Sequence, residues 1–128
     1  MTARRLRSLD AVSFAALPCE CAGCVFWQTD APLDKRCGAA CDMETLREWY
    51  HTVVETWGEC GRAAFEDDDV LGFIVYAPPV FLPQARHFAA GPADDDAVLI
   101  ACLHIRDDAR QHGLGSLLLR AALRDLSQ

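Results

Sequence analysis

Two stretches of this sequence place reactive residue types at spacings that suit a definite chemistry. The first is Leu103-His104-Ile105-Arg106-Asp107-Asp108-Ala109-Arg110-Gln111-His112-Gly113-Leu114-Gly115-Ser116. An apolar run enters a short polar loop, and the loop enters a helical pattern through two glycines. That order suits anion binding. The first N–H groups of a helix have no internal partners and sit at the positive end of its dipole. Glycine lets a phosphate approach this backbone with no Cβ in the way. Arg110 adds a cationic fork.

The second stretch is Cys19-x-Cys21-x-x-Cys24 followed, after twelve residues, by Cys37-x-x-x-Cys41. Thiolates at such spacing suit Zn²⁺, and four of them complete a tetrahedral site. Cys21-x-x-Cys24 with Cys37-x-x-x-Cys41 is close to a zinc-ribbon spacing, with the second pair one residue wide. An iron–sulfur cluster takes the same ligands. Free cysteines are equally at home as small buried apolar residues, so spacing alone commits none of the five to a metal. Cys60 and Cys102 fall in apolar segments and are expected in the core. The acidic runs at 67–69 and 94–96 suit solvated turns better than a cation site. Trp49, Tyr50 and Trp57 recur at helical spacing and are expected to pack inward, whereas Trp27 stands in the cysteine-rich region.

Elements must position these residues. A weak first strand is expected at 3–9, with Leu6 and Leu9 among arginines. Residues 17–41 are loop-rich, broken by Pro18, Gly23, Pro32 and Gly38. Asp42 is a good N-cap, and Leu46, Trp49, Tyr50, Val53, Val54 and Trp57 follow with a period near 3.6, predicting an amphipathic helix closed by Gly58 and Gly61. Strands are expected at 62–66 and 70–77 around an Asp67-Asp68-Asp69 turn, ending at Pro78-Pro79. A long connection spans 79–96. Residues 97–105 are apolar almost throughout, which predicts a central strand covered on both faces. The final helix starts at Gly113-Leu114-Gly115, with Leu114, Leu117, Leu118, Ala121, Ala122 and Leu126 expected on its buried side. This order describes one α/β domain over 1–128, with a partly antiparallel sheet.

The glycine pair is not a dinucleotide fingerprint. Leu118 stands where the third glycine belongs, and no acidic residue follows about twenty positions on. Instead, Arg110-x-x-Gly113-x-Gly115 directly after a hydrophobic strand resembles motif A of the GNAT N-acetyltransferases, and the upstream order of elements is similar as well. The resemblance implies an acyl-CoA N-acyltransferase-like mixed sheet with flanking helices. It implies that 97–128 is the cofactor-binding unit. Leu103, His104 and Ile105 would pair with the pantetheine arm of acetyl-CoA, while Arg110, Gln111, His112, Gly113, Leu114, Gly115 and Ser116 would hold its pyrophosphate. It implies direct attack of a primary amine on the thioester, with no acyl-enzyme. His104 is then a candidate proton acceptor, and Glu66, at a strand end, is better read as the start of an acidic turn. The family's domain normally continues past this helix with a fifth strand beside the fourth. The fold is therefore expected to be C-terminally truncated, with a homodimer or partner chain covering the open sheet edge. The rival reading is a non-catalytic module, cysteine-rich and metal-binding or acetyl-CoA-binding, completed by a partner chain.

Composition narrows the classes further. The chain has 128 residues, 52% of them hydrophobic, which supports one core and excludes wholesale disorder. No apolar run reaches the length of a membrane-spanning helix. A net charge of −7 argues against nucleic acid as a partner and suits a cationic acceptor, whether a small-molecule amine or a lysine side chain. Arg4, Arg5 and Arg7 precede Ser8-Leu9-Asp10 rather than an apolar segment, so no secretory signal is read. A cytoplasmic location with reduced thiols is expected.

Overall fold

The computed structural model describes residues 4–9, 43–67, 69–84, 97–110 and 113–127. The cysteine cluster at 19–41 and the residues Gln111 and His112 lie outside them. Four strands form one sheet in the order β1 (Arg4–Ser8), β2 (Gly61–Glu66), β3 (Asp69–Ala77) and β4 (Leu99–Ile105), and every ladder between them is antiparallel. This is the antiparallel part of the sheet expected from the sequence. The β2–β3 hairpin turns at Asp67, whose φ of 55° is the left-handed conformation that aspartate tolerates in turns.

Helix α1 (Met43–Thr56) packs on one face of the sheet and helix α2 (Leu114–Leu126) on the other. Leu46, Tyr50 and Val53, spaced four and three apart, bury against Ala63, Phe73, Val75 and Ala77. Glu44, Arg47, Glu48, His51 and Glu55 face solvent. The helix stops where Val53 O accepts from both Trp57 N and Gly58 N, at 2.8 and 3.0 Å. Trp49 Nε1 then donates to Phe81 O at 2.7 Å, tying α1 to the 3-10 turn Pro79–Phe81 that follows β3. On the opposite face, Leu114, Leu118 and Ala122 of α2 bury against Ala64, Leu71, Ile74 and Tyr76.

Two expectations change. Strand β3 is the covered one: eight of its nine residues, Val70 to Ala77, are buried. Strand β4 holds no fully buried residue, and Ile100 and Leu103 are each 44% exposed. The reason is position. Among the described residues β4 pairs only with β3, so within them its apolar run lies at a sheet edge. Likewise Leu117, expected on the buried side of α2, is 44% exposed, because the inward stripe follows the i, i+4, i+8 row of Leu114, Leu118 and Ala122.

Candidate functional site

Strand β4 leads through a 3-10 turn, Asp107–Ala109, into α2. Ala109 is buried and plugs the turn into the α2-side core. Arg106 N donates to Leu71 O at 2.8 Å, so the end of β4 stays laced to β3. Gly113 is the N-cap of α2, with φ 78° and ψ 9°, and no side chain caps the helix. Its carbonyl accepts the first helical bond, from Leu117 N at 3.0 Å. The N–H groups of Leu114, Gly115 and Ser116 precede that bond and have no partner within the helix.

The glycines of the chain differ in what they are for. A Cβ on Gly72 would stand 2.7 Å from His104 O, so this glycine is required by the close approach of β3 and β4. Gly113 is required by its positive φ. Gly115 has neither reason: it lies inside α2, and among the described residues nothing stands within 4 Å of where its Cβ would be. A helix glycine with open space above it disfavours the helix and improves no packing within the chain. Such a position fits a ligand that must touch the backbone. An anion seated on the first turn of α2 has the donors and the room it needs, so the residues present fit the pyrophosphate of a CoA donor.

Arg110 is held differently from a free phosphate fork. Its Nε donates to Ile105 O at 3.1 Å, and its NH2 group lies 3.1 Å from Asp107 Oδ1. Beside it, Arg106 grips Asp108 through two bonds of 2.6 and 2.9 Å, which holds the Asp108 carboxyl below its ordinary range. His104 pairs with Phe73 across the ladder on the α1 side of β4, and the two rings lie 5.8 Å apart. Leu103, opposite Ile74, points to the α2 side. The β3–β4 register steps from Val75–Cys102 to Tyr76–Ile100, leaving Ala101 as an unpaired bulge residue. Bulges re-aim a strand locally, and this one lies two residues before the Leu103–Ile105 segment expected to pair with the pantetheine arm.

A second polar cluster joins distant elements at the other end of α2. Arg62 on β2 donates to both oxygens of Asp125, at 2.8 and 2.9 Å, and the Tyr76 hydroxyl donates to Asp125 Oδ2 at 2.9 Å. The Arg62 guanidinium, with help from Tyr76, holds the Asp125 carboxyl below its ordinary range. Burial, reinforced by Asp125, pushes the Tyr76 hydroxyl up. These side chains, with Trp57, Glu59 and Val98, line an open cleft of about 480 Å³. Its central polar groups satisfy one another, which makes the cluster a clasp between α2 and the sheet. Burial, and secondarily Glu59, pushes the Cys60 thiol up to about 12, the behaviour of an inert core cysteine.

The structure therefore brings Leu103, His104, Ile105, Arg110, Gly113, Leu114, Gly115 and Ser116 into one strand–turn–helix unit. Glu66 belongs to the β2–β3 hairpin, opposite Asp69, and its charge acts on Arg106 at the start of the turn. Among the described residues, no three His, Cys, Asp or Glu side chains gather as a metal site. Sequence reasoning missed the Asp107–Arg110 pair, although its i, i+3 spacing carried the signal. The Ala101 bulge and the Arg62–Tyr76–Asp125 clasp left no local signal.

Comparison with known proteins finds likenesses of sequence and of fold. The family profile described as Acetyltransferase (GNAT) family matches residues 20–128. The crystal structure of the loading GNATL domain of CurA from Lyngbya majuscula is similar, with a TM-score of 0.59 and 14% identity over 98% of this chain. This chain spans 59% of that one, and identity at this level speaks to the fold alone. No curated protein matches the sequence.

Proposed function

Because the chain belongs to the GNAT acetyltransferase family, we propose that it uses acetyl-CoA as donor and transfers the acetyl group to a primary amine by direct attack. The observation that most supports this reading is Gly115, a helix glycine at the first turn of α2 with open space above it among the described residues. In this reading the N–H groups of Leu114, Gly115 and Ser116 bind the pyrophosphate, with Arg110, Gln111 and His112 beside them. The outer edge of β4 faces no strand among the described residues, so its outward backbone groups, other than the Ile105 carbonyl held by Arg110, are open to pair with the pantetheine arm. The donor supplies an activated acyl carbon. The chain orients it against the amine and takes up the amine proton at His104; as the C–N bond forms the C–S bond breaks, and coenzyme A leaves as a thiolate that is protonated to the thiol.

The acidic chain favours a cationic acceptor, a small-molecule amine or a lysine side chain, over nucleic acid. A cytoplasmic site of action belongs to the same proposal. A second reading has one observation in its favour, the half-exposed Ile100 and Leu103 on the β4 edge. In that reading a partner chain or second copy adds a strand beside β4 before the site is competent.

Thermal unfolding with and without acetyl-CoA tests the donor site. Ligand at a hundredfold excess over Kd should stabilise the fold by about 2.7 kcal/mol. A cooperative transition that acetyl-CoA leaves unmoved would refute the proposal. If the site is competent, His104→Gln should slow acetyl transfer by about 10²–10⁴-fold while acetyl-CoA still binds. An undiminished rate would remove His104 from the chemistry.

A further inference from the structure

The loop that enters α2 carries its own competitor for the ligand. Arg106, Asp107, Asp108 and Arg110 sum to zero charge within five residues, and the two ion pairs are crossed: Arg106 with Asp108, Arg110 with Asp107. The Arg110 guanidinium uses two of its edges. Nε is bound to Ile105 O, the last carbonyl of β4, and NH2 to the Asp107 carboxylate. The first bond is to backbone and holds Arg110 over the end of the strand. The second is an exposed ion pair, with the Asp107 side chain 91% and the Arg110 side chain 58% accessible, so solvent screens it and it exchanges readily.

We infer that Asp107 is a built-in stand-in for the donor's phosphate, occupying the exchangeable edge of Arg110 until a phosphate displaces it, while the Nε–Ile105 bond keeps the guanidinium in place throughout. Arg110 is on this account a positioning residue first and a phosphate ligand second. Asp107 sets how tightly the anion is held. A phosphate is the better partner for the fork, because it carries more charge and presents several acceptor oxygens to it. Asp107, once displaced, remains as a negative charge near the site and lowers affinity further. This inference rests on the proposed donor site.

The test is calorimetric titration of coenzyme A into the full chain and into Asp107→Asn, at low and at high salt. Asp107→Asn should bind coenzyme A about two- to fivefold more tightly at low ionic strength, and the advantage should shrink in 0.5 M salt. Asp108→Asn is the control, since it removes the same charge one residue away but leaves Arg110 paired with Asp107. It should give the smaller gain. Equal gains from both variants would mean general charge repulsion and would overturn the specific role of Asp107. Weaker binding by Asp107→Asn would mean that the carboxylate helps to orient Arg110, and would overturn it too. Failure of the unaltered chain to bind coenzyme A would instead remove the donor site itself, and this inference with it. Unfolding curves for each variant confirm that the compared proteins are folded.

Discussion

Replacing Gly115 by alanine should move stability and binding in opposite directions. Alanine is favoured over glycine in a helix by about 1 kcal/mol, and by less in the first turn, so a gain of roughly 0.5–1 kcal/mol is expected. Among the described residues nothing lies within 4 Å of the new Cβ, so none of them opposes that gain. In a domain of this size the increment corresponds to a rise in Tm of about 2–6 °C. The same methyl group projects into the space proposed for the pyrophosphate. Crowding there should cost about 1–3 kcal/mol of binding, at least roughly fivefold in Kd for acetyl-CoA. The assay is a pair of measurements on one preparation: thermal unfolding without ligand, and calorimetric titration with acetyl-CoA. Gly113→Ala is the comparison, because its φ of 78° strains any L side chain. It should lower stability by about 1–2 kcal/mol. A Gly115→Ala protein that binds acetyl-CoA as well as the parent would refute the phosphate seat. One that unfolds earlier without ligand would refute the claim that the space is open.

Three further outcomes follow from the packing. Asp125→Asn should cost about 1–3 kcal/mol, since it weakens the bonds from Arg62 and Tyr76 that clasp α2 to the sheet. The Asp125 carboxyl is held below its ordinary value of 3.8, so its contribution is complete above that pH and disappears as pH falls through the lowered value. Urea unfolding from pH 7 down to pH 3 should show the gap between parent and variant closing only at the acid end, and a gap independent of pH would contradict the assignment. Gly72→Ala should destabilise by several kcal/mol, because its Cβ would meet His104 O and Ile105 Cδ1 at 2.7 Å, and a wild-type denaturation midpoint would disprove that contact. Cys60, fully buried and with its thiol pushed up, should resist alkylation at pH 8 until the protein unfolds, as peptide mapping by mass spectrometry would record.

Much of the architecture was legible because it is local. The period of Leu46, Trp49, Tyr50 and Val53 located α1, and the aspartates at 67–69 marked the hairpin. The glycines at 113 and 115 marked the start of α2 and the donor loop together. What sequence could not supply was which strand has neighbours on both sides. An apolar run such as 97–105 reads alike at the centre of a sheet and at an edge, whereas β3 is covered because it lies between β2 and β4 with a helix on each face, and its bulge at Leu71 shifts the phase of its side chains. Register steps from Phe65–Val70 to Ala64–Gly72, leaving Leu71 without a β2 partner. Val70 and Phe73 then face α1, while Leu71 and Ile74 face α2. The clasp of Arg62 with Asp125 spans 63 positions, a separation no spacing rule reaches.

That division of β3 between two cores has a consequence for how the molecule opens. The α1-side and α2-side clusters share no residue, and each is closed by its own helix. Strand β3, which with β2 feeds both, is an element through which one half senses the other. Fluctuations that release α2 from the sheet break the α2-side cluster and the Asp125 clasp, yet leave the α1-side contacts in place. Amide hydrogens of α2 and its loop should therefore exchange through a partial opening, while those of β3 exchange only when both helices let go. A ligand that grips the first turn of α2 would raise the protection of the first set selectively, so that the half of the domain carrying the site is also the half whose persistence the ligand governs.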